Sequence, residues 1–125
     1  MATRKILIID DEDDIREVAQ VVFELAGGWE VLTAGSGPEG LAVAASAQPD
    51  AILLDVMMPD MDGPTTFQAL RANPATRGIP VVFLTAKVQA ADQRRLAELG
   101  AAALIAKPFD PLKIADQVAA ALGWN

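Results

Sequence analysis

Short apolar runs alternate along the chain with longer stretches in which apolar residues return every three to four positions. That alternation is expected of βα units wrapped around a parallel sheet. Five runs read as strands: Lys5 to Ile9, Glu30 to Ala34, Ala51 to Leu54, Val81 to Leu84 and Ala103 to Ala106. The third and fourth, AILL and VVFL, are apolar without alternation, as befits central strands covered on both faces. Between the strands, Ile15, Val18, Ala19, Val22 and Phe23 repeat at helical spacing, with Gly27 and Gly28 as a stop signal. Pro38 to Ala47 reads as a second helix, opened by Ser36 or Gly37 and closed by Pro49. Pro64 opens a third that runs towards Leu70 and ends before Asn73-Pro74. Ala91 to Leu99, stopped by Gly100, and Pro111 to Leu122, stopped by Gly123, complete the set.

The 125 residues fit one compact domain and leave no room for a second, so residues 1–125 are expected to form a single unit. No low-complexity tract or linker interrupts it. The fold class is α/β, a doubly wound domain with a five-stranded parallel sheet flanked by five helices. Right-handed crossovers favour the flavodoxin-like strand order 2-1-3-4-5, and ligands in such sheets bind beyond the carboxyl ends of the strands, where the order reverses.

Composition narrows the chemistry. A net charge of −7 repels phosphate backbones and anionic lipid, so neither nucleic acid nor a membrane is expected as a direct partner. The start, MATRKILIIDDEDD, has too short an apolar stretch for a secretory signal or a membrane span, which places the protein in the cytoplasm. Histidine and cysteine are both absent. Imidazole and thiolate therefore drop out as nucleophiles and metal ligands, and any bound ion should be a hard, oxygen-seeking one such as Mg²⁺, Mn²⁺ or Ca²⁺.

Four strand ends deliver polar groups to the rim where a ligand would sit: Asp10-Asp11, Asp55, Thr85-Ala86 and Lys107-Pro108. Three carboxylates in one pocket repel unless cations offset them, and a divalent metal together with Lys107 supplies that offset. Each residue also has an ordinary explanation. The run Asp10 to Asp14 can be a solvated helix start, with Asp13 and Asp14 at the positive end of the dipole. Asp55 can be a turn residue before the loop MMPDMDG, Thr85 a strand end and Lys107 an exposed cation. Joint placement on one rim is what sets the four apart.

The segments IDDE, LLDVMMPDMDG, LTA and AKPF stand in the order and spacing of the response-regulator receiver domains of two-component signalling, and the chain resembles that family over essentially its whole length. The resemblance implies that Asp55 is the phosphoacceptor, that Asp11 binds Mg²⁺ directly and Asp10 mainly through water, and that the Met57 backbone carbonyl is a further ligand. It implies that Thr85, Lys107 and the Ala86 backbone N–H hold the phosphoryl oxygens, and that Lys107-Pro108 is a cis peptide. The expected donor is a phosphohistidine of a sensor histidine kinase or histidine phosphotransfer protein. The chemistry would be limited to self-catalysed phosphoryl transfer and autodephosphorylation, with Met57 and Lys87 tuning the lifetime of the product. The family often carries an aromatic three residues before the lysine; here that position is Leu104, so output coupling is not expected to use an aromatic rotamer.

The fifth strand and helix lack the charged pattern of receivers that dimerise on DNA. A monomer or weak dimer is therefore expected, either free-standing or cut from a larger regulator, that docks its fourth-helix, fifth-strand and fifth-helix face onto an unknown downstream protein. Rivals are an aspartyl phosphohydrolase of the haloacid dehalogenase type and a pseudo-receiver that binds partners without phosphorylation. The first needs an acid two residues after the nucleophile, where this chain has Met57; the second should have lost key positions, and none is lost. A flavin or dinucleotide protein should show a glycine-rich loop after the first strand, where this chain is acidic.

Overall fold

A computed structural model describes residues 3–86 and 89–124. The strands are β1 (Lys5–Ile9), β2 (Glu30–Ala34), β3 (Ala51–Asp55), β4 (Val81–Thr85) and β5 (Ala103–Ala106). The helices are α1 (Asp13–Gly27), α2 (Gly37–Ala47), α3 (Gly63–Ala72), α4 (Ala90–Glu98) and α5 (Ile114–Leu122). All four strand pairings are parallel, in the order β2-β1-β3-β4-β5.

Successive residues of a strand point to opposite faces, so each central strand feeds two cores. From β1, Ile6 and Ile8 pack with Ala19, Phe23, Ile114 and Val118 of α1 and α5. Leu7 and Ile9 pack on the other face with Phe67, Leu70 and Leu96 of α3 and α4. All four β1 side chains are fully buried, each stabilising the fold by about 1.5–3 kcal/mol. This two-sided burial is why the runs lack alternation.

Helix boundaries follow local chemistry. α1 stops where Gly28 takes a left-handed conformation (φ 64°) and donates its N–H to Glu24 O at 3.1 Å. Ser36 caps α2, accepting from the Glu39 N–H, and Asp62 caps α3, accepting from the Thr65 N–H at 2.9 Å. The close of α2 is set by Gln48 (φ 50°), with Pro49 following outside the helix.

One expectation is corrected. The fifth helix does not begin at Pro111 but at Ile114. Asp110 holds residues 111–113 in a turn instead: its Oδ1 accepts the Leu112 N–H at 2.9 Å, and its carbonyl accepts the N–H groups of Lys113 and Ile114 at 3.0 Å.

Candidate functional site

β1 and β3 are neighbours in the sheet, with Ile9 beside Leu54, so Asp10 and Asp55 emerge side by side. Both are buried, with 0% and 2% exposure. A carboxylate there needs partners, because an ionised group without them carries a large desolvation cost. Asp10 Oδ1 accepts the Glu12 N–H at 2.9 Å, and Asp55 Oδ1 faces the Met57 N–H at 3.4 Å. The other oxygen of each, Oδ2, has no aligned hydrogen bond.

Lys107, at the end of β5, reaches across the rim to both. Its Nζ stands 3.0 Å from Asp10 Oδ2 and 3.3 Å from Asp55 Oδ2. These are ionic distances without hydrogen-bond alignment, so attraction is present while the oxygens keep unused acceptor capacity. The ammonium also donates to Glu12 Oε1 at 3.2 Å.

The third acid, Asp11, lies exposed at the mouth, and one carboxylate oxygen from each of Asp10, Asp11 and Asp55 falls within 4.8 Å of the others. An all-oxygen donor set with two orphaned buried oxygens fits a hard dication that retains some of its waters.

Electrostatics agree with that shape. Burial, then the neighbouring Asp10 charge, push the Asp55 carboxyl from 3.8 up to about 6, against the opposing pull of Lys107. For Lys107, burial favours loss of the proton, but the close Asp10 carboxylate, with Asp55 and Glu12 behind it, outweighs burial and holds the amine above its ordinary range.

The remaining expected residues lie on the same rim. Thr85 ends β4, buried at 2% exposure, and its carbonyl accepts the Lys107 N–H at 2.8 Å. Ala86 is exposed just beyond it. Met57 points outward, 60% exposed, and the Lys107–Pro108 peptide is cis. Lys87 lies outside the described residues. Asp13 and Asp14 stay out of the cluster: they occupy the first turn of α1, where Asp13 pairs with Arg16. Leu104 sits beside Phe83 in the sheet and packs, partly buried, into the α2–α4 side of the core.

Gly63 fixes the loop after Asp55. A Cβ there would come within 2.5 Å of the Asp55 carbonyl oxygen and 2.8 Å of Val56 Cα, so only glycine lets α3 start so close under the acid.

Two participants had not been singled out from sequence. Glu12 reaches Lys107 across 95 positions, and Arg16 donates to the Asp10 carbonyl at 2.7 Å. Neither contact has a local sequence signal. A cavity of about 870 Å³ also opens among Arg4, Trp29, Asp50, Asp116 and Trp124, but it contains none of these site residues.

With that geometry in view, comparison with known proteins is decisive. A family model described as "Response regulator receiver domain" matches residues 6–119. The chain belongs to the response-regulator receiver family. It is 41% identical over 118 residues to the DNA-binding dual master transcriptional regulator RpaA of Synechocystis sp., covering 94% of this chain and 48% of that protein. It is 44% identical over 112 residues to the response regulator PleD of Caulobacter vibrioides, covering 88% of this chain and 24% of that protein. The chain thus spans half or less of these two curated relatives. Among solved structures, the chemotaxis protein CheY4 of Vibrio cholerae superposes with a TM-score of 0.88 at 32% identity, covering 96% of this chain and 99% of that one. The domain is a phosphorelay receiver, and neither the phosphohydrolase nor the pseudo-receiver finds support. None of the helices among the described residues is long and apolar enough to cross a membrane.

Proposed function

We propose that Asp55 is the phosphoacceptor of this receiver and that Mg²⁺ is its cofactor, with Mn²⁺ or Ca²⁺ as substitutes. The observation that carries this reading is the convergence of the Asp10, Asp11 and Asp55 oxygens within 4.8 Å, with the Lys107 ammonium 3.3 Å from Asp55. Asp11, Asp55 and the Met57 carbonyl would hold the ion directly and Asp10 mainly through water. The ion supplies neutralisation of charge on the transferring group.

The protein's own groups do the rest. An Asp55 carboxylate oxygen attacks phosphorus in line, and the phosphorus–nitrogen bond of a partner's phosphohistidine breaks. The electron pair stays on the imidazole nitrogen, leaving an acyl phosphate on Asp55. Lys107 pairs with one phosphoryl oxygen, the Thr85 hydroxyl and Ala86 N–H with others, so charge that grows in transfer meets fixed donors. Residues 1–125 contain no histidine, so the donor histidine lies outside them, on a sensor histidine kinase or a histidine phosphotransfer protein.

In this reading residues 1–125 act as one cytoplasmic receiver unit, a monomer or weak dimer. It is a signalling domain, with no turnover beyond its own phosphorylation and autodephosphorylation, and it makes no direct contact with nucleic acid. Phosphorylation biases two pre-existing arrangements of the α4–β5–α5 face, which docks on a downstream protein. The test is incubation with Mg²⁺ and acetyl phosphate followed by intact mass. A phosphoryl-sized gain that vanishes in Asp55→Ala and on chelation supports the assignment; a gain that persists in Asp55→Ala overturns it.

A further inference from the structure

Three carboxylates surround the Lys107 ammonium, and they differ in kind. Asp10 and Asp55 are buried and approach Nζ without alignment, at 3.0 and 3.3 Å. Glu12 is 60% exposed at its side chain, and it meets Nζ at 3.2 Å with hydrogen-bond geometry. The Glu12 backbone is held firmly: its N–H donates to Asp10 Oδ1, and its carbonyl accepts the Arg16 N–H at 3.2 Å. Although Glu12 is the N-cap residue of α1, its side chain makes no capping bond. Its side chain instead spans the mouth of the site to the far end of the sheet.

We propose that Glu12 is a positioning residue for the receiver reaction, one that keeps the Lys107 ammonium at the mouth of the site while Asp10 and Asp55 are engaged by a dication and then yields it to the incoming phosphoryl group. This rests on the reading of the site given above. Asp55 directly, and Asp10 through water, would face the dication, and two cations drawn to the same pair of carboxylates repel. Glu12 offers the displaced ammonium an anion already within hydrogen-bond reach, on a side chain that water can follow. An exposed pair of this sort is weak. A phosphoryl group with charged, desolvated oxygens makes the stronger partner, so Lys107 transfers to it without a large barrier.

The test is a double-mutant cycle read by Mg²⁺ affinity, measured by calorimetry on the unphosphorylated protein. Glu12→Gln in the wild-type background should weaken Mg²⁺ binding by about two- to five-fold, the worth of a partly exposed ion pair. In Lys107→Met, the same substitution should produce a clearly smaller change, because only the loss of a distant charge remains. Lys107→Gln serves as the background should Lys107→Met fail to fold. Equal fold-changes in both backgrounds, or no change in either, overturn the proposal. Failure of the wild-type protein to label at Asp55 would instead overturn the reading of the site on which it rests.

Discussion

Replacing Asp55 by asparagine should stabilise the metal-free protein at neutral pH. Asp55 is 2% exposed, and its carboxyl is pushed from 3.8 up to about 6 by burial and by Asp10. The folded chain therefore binds this proton more tightly than the unfolded chain. Stability contributed by the protonated form is present below the unfolded value and is lost as pH rises through the folded one. Converted at 1.36 kcal/mol per pH unit, the displacement amounts to about 3 kcal/mol against the folded state above pH 6. Relaxation of the rim brings the expected gain in Asp55→Asn to roughly 1–3 kcal/mol at about pH 7.5, with about 2 kcal/mol less at about pH 4.5 at the upper end of that range. The assay is urea unfolding in chelator. Trp29 provides the signal, stacked on Phe23 with ring centroids 5.0 Å apart. The midpoint should move up with an unchanged slope, which marks a change in stability rather than in the compactness of either state. A variant that is neutral or less stable at pH 7.5, or equally stabilised at both pH values, would refute the reasoning.

Further outcomes follow from neighbouring contacts. Mg²⁺ should stabilise the wild type in the same assay, by about 2.7 kcal/mol at a hundredfold excess over its dissociation constant, and much less in Asp55→Asn; equal stabilisation of both would place the ion elsewhere. Gly63→Ala should destabilise by about 2 kcal/mol or more and slow Asp55 labelling, because the new Cβ meets the Asp55 carbonyl oxygen at 2.5 Å; thermal unfolding and intact mass check both. Arg71→Ala should cost about 1 kcal/mol in urea unfolding, since Arg71 donates to the Gly100 carbonyl at 2.9 Å and lies 4.9 Å from the Phe67 ring centroid.

The strands were legible because a doubly covered sheet demands uninterrupted apolar runs, which Ile52 to Leu54 and Val81 to Leu84 supply. The strand order followed from connection handedness rather than from any residue. Sequence alone stopped β3 and β4 one residue early. Asp55 and Thr85 read as polar ends, yet they belong to the sheet and are buried in it. The start of α5 was misread because Pro111 is a common first helical residue, whereas Asp110 accepts N–H groups that a helix would otherwise use. The acids of the site could be named from their positions after strands. Their electrostatic state could not, because it depends on how far Lys107 and Glu12 reach, and those contacts close only in three dimensions.

The central claim is that one particular oxygen, on Asp55, receives the phosphoryl group. It is tested most directly by labelling the wild-type protein with acetyl phosphate and Mg²⁺, reducing the acyl phosphate with borohydride and mapping the peptides by mass spectrometry. Conversion of position 55 alone to homoserine is the predicted result. Conversion at Asp10, at Asp11 or nowhere in the chain would contradict the account.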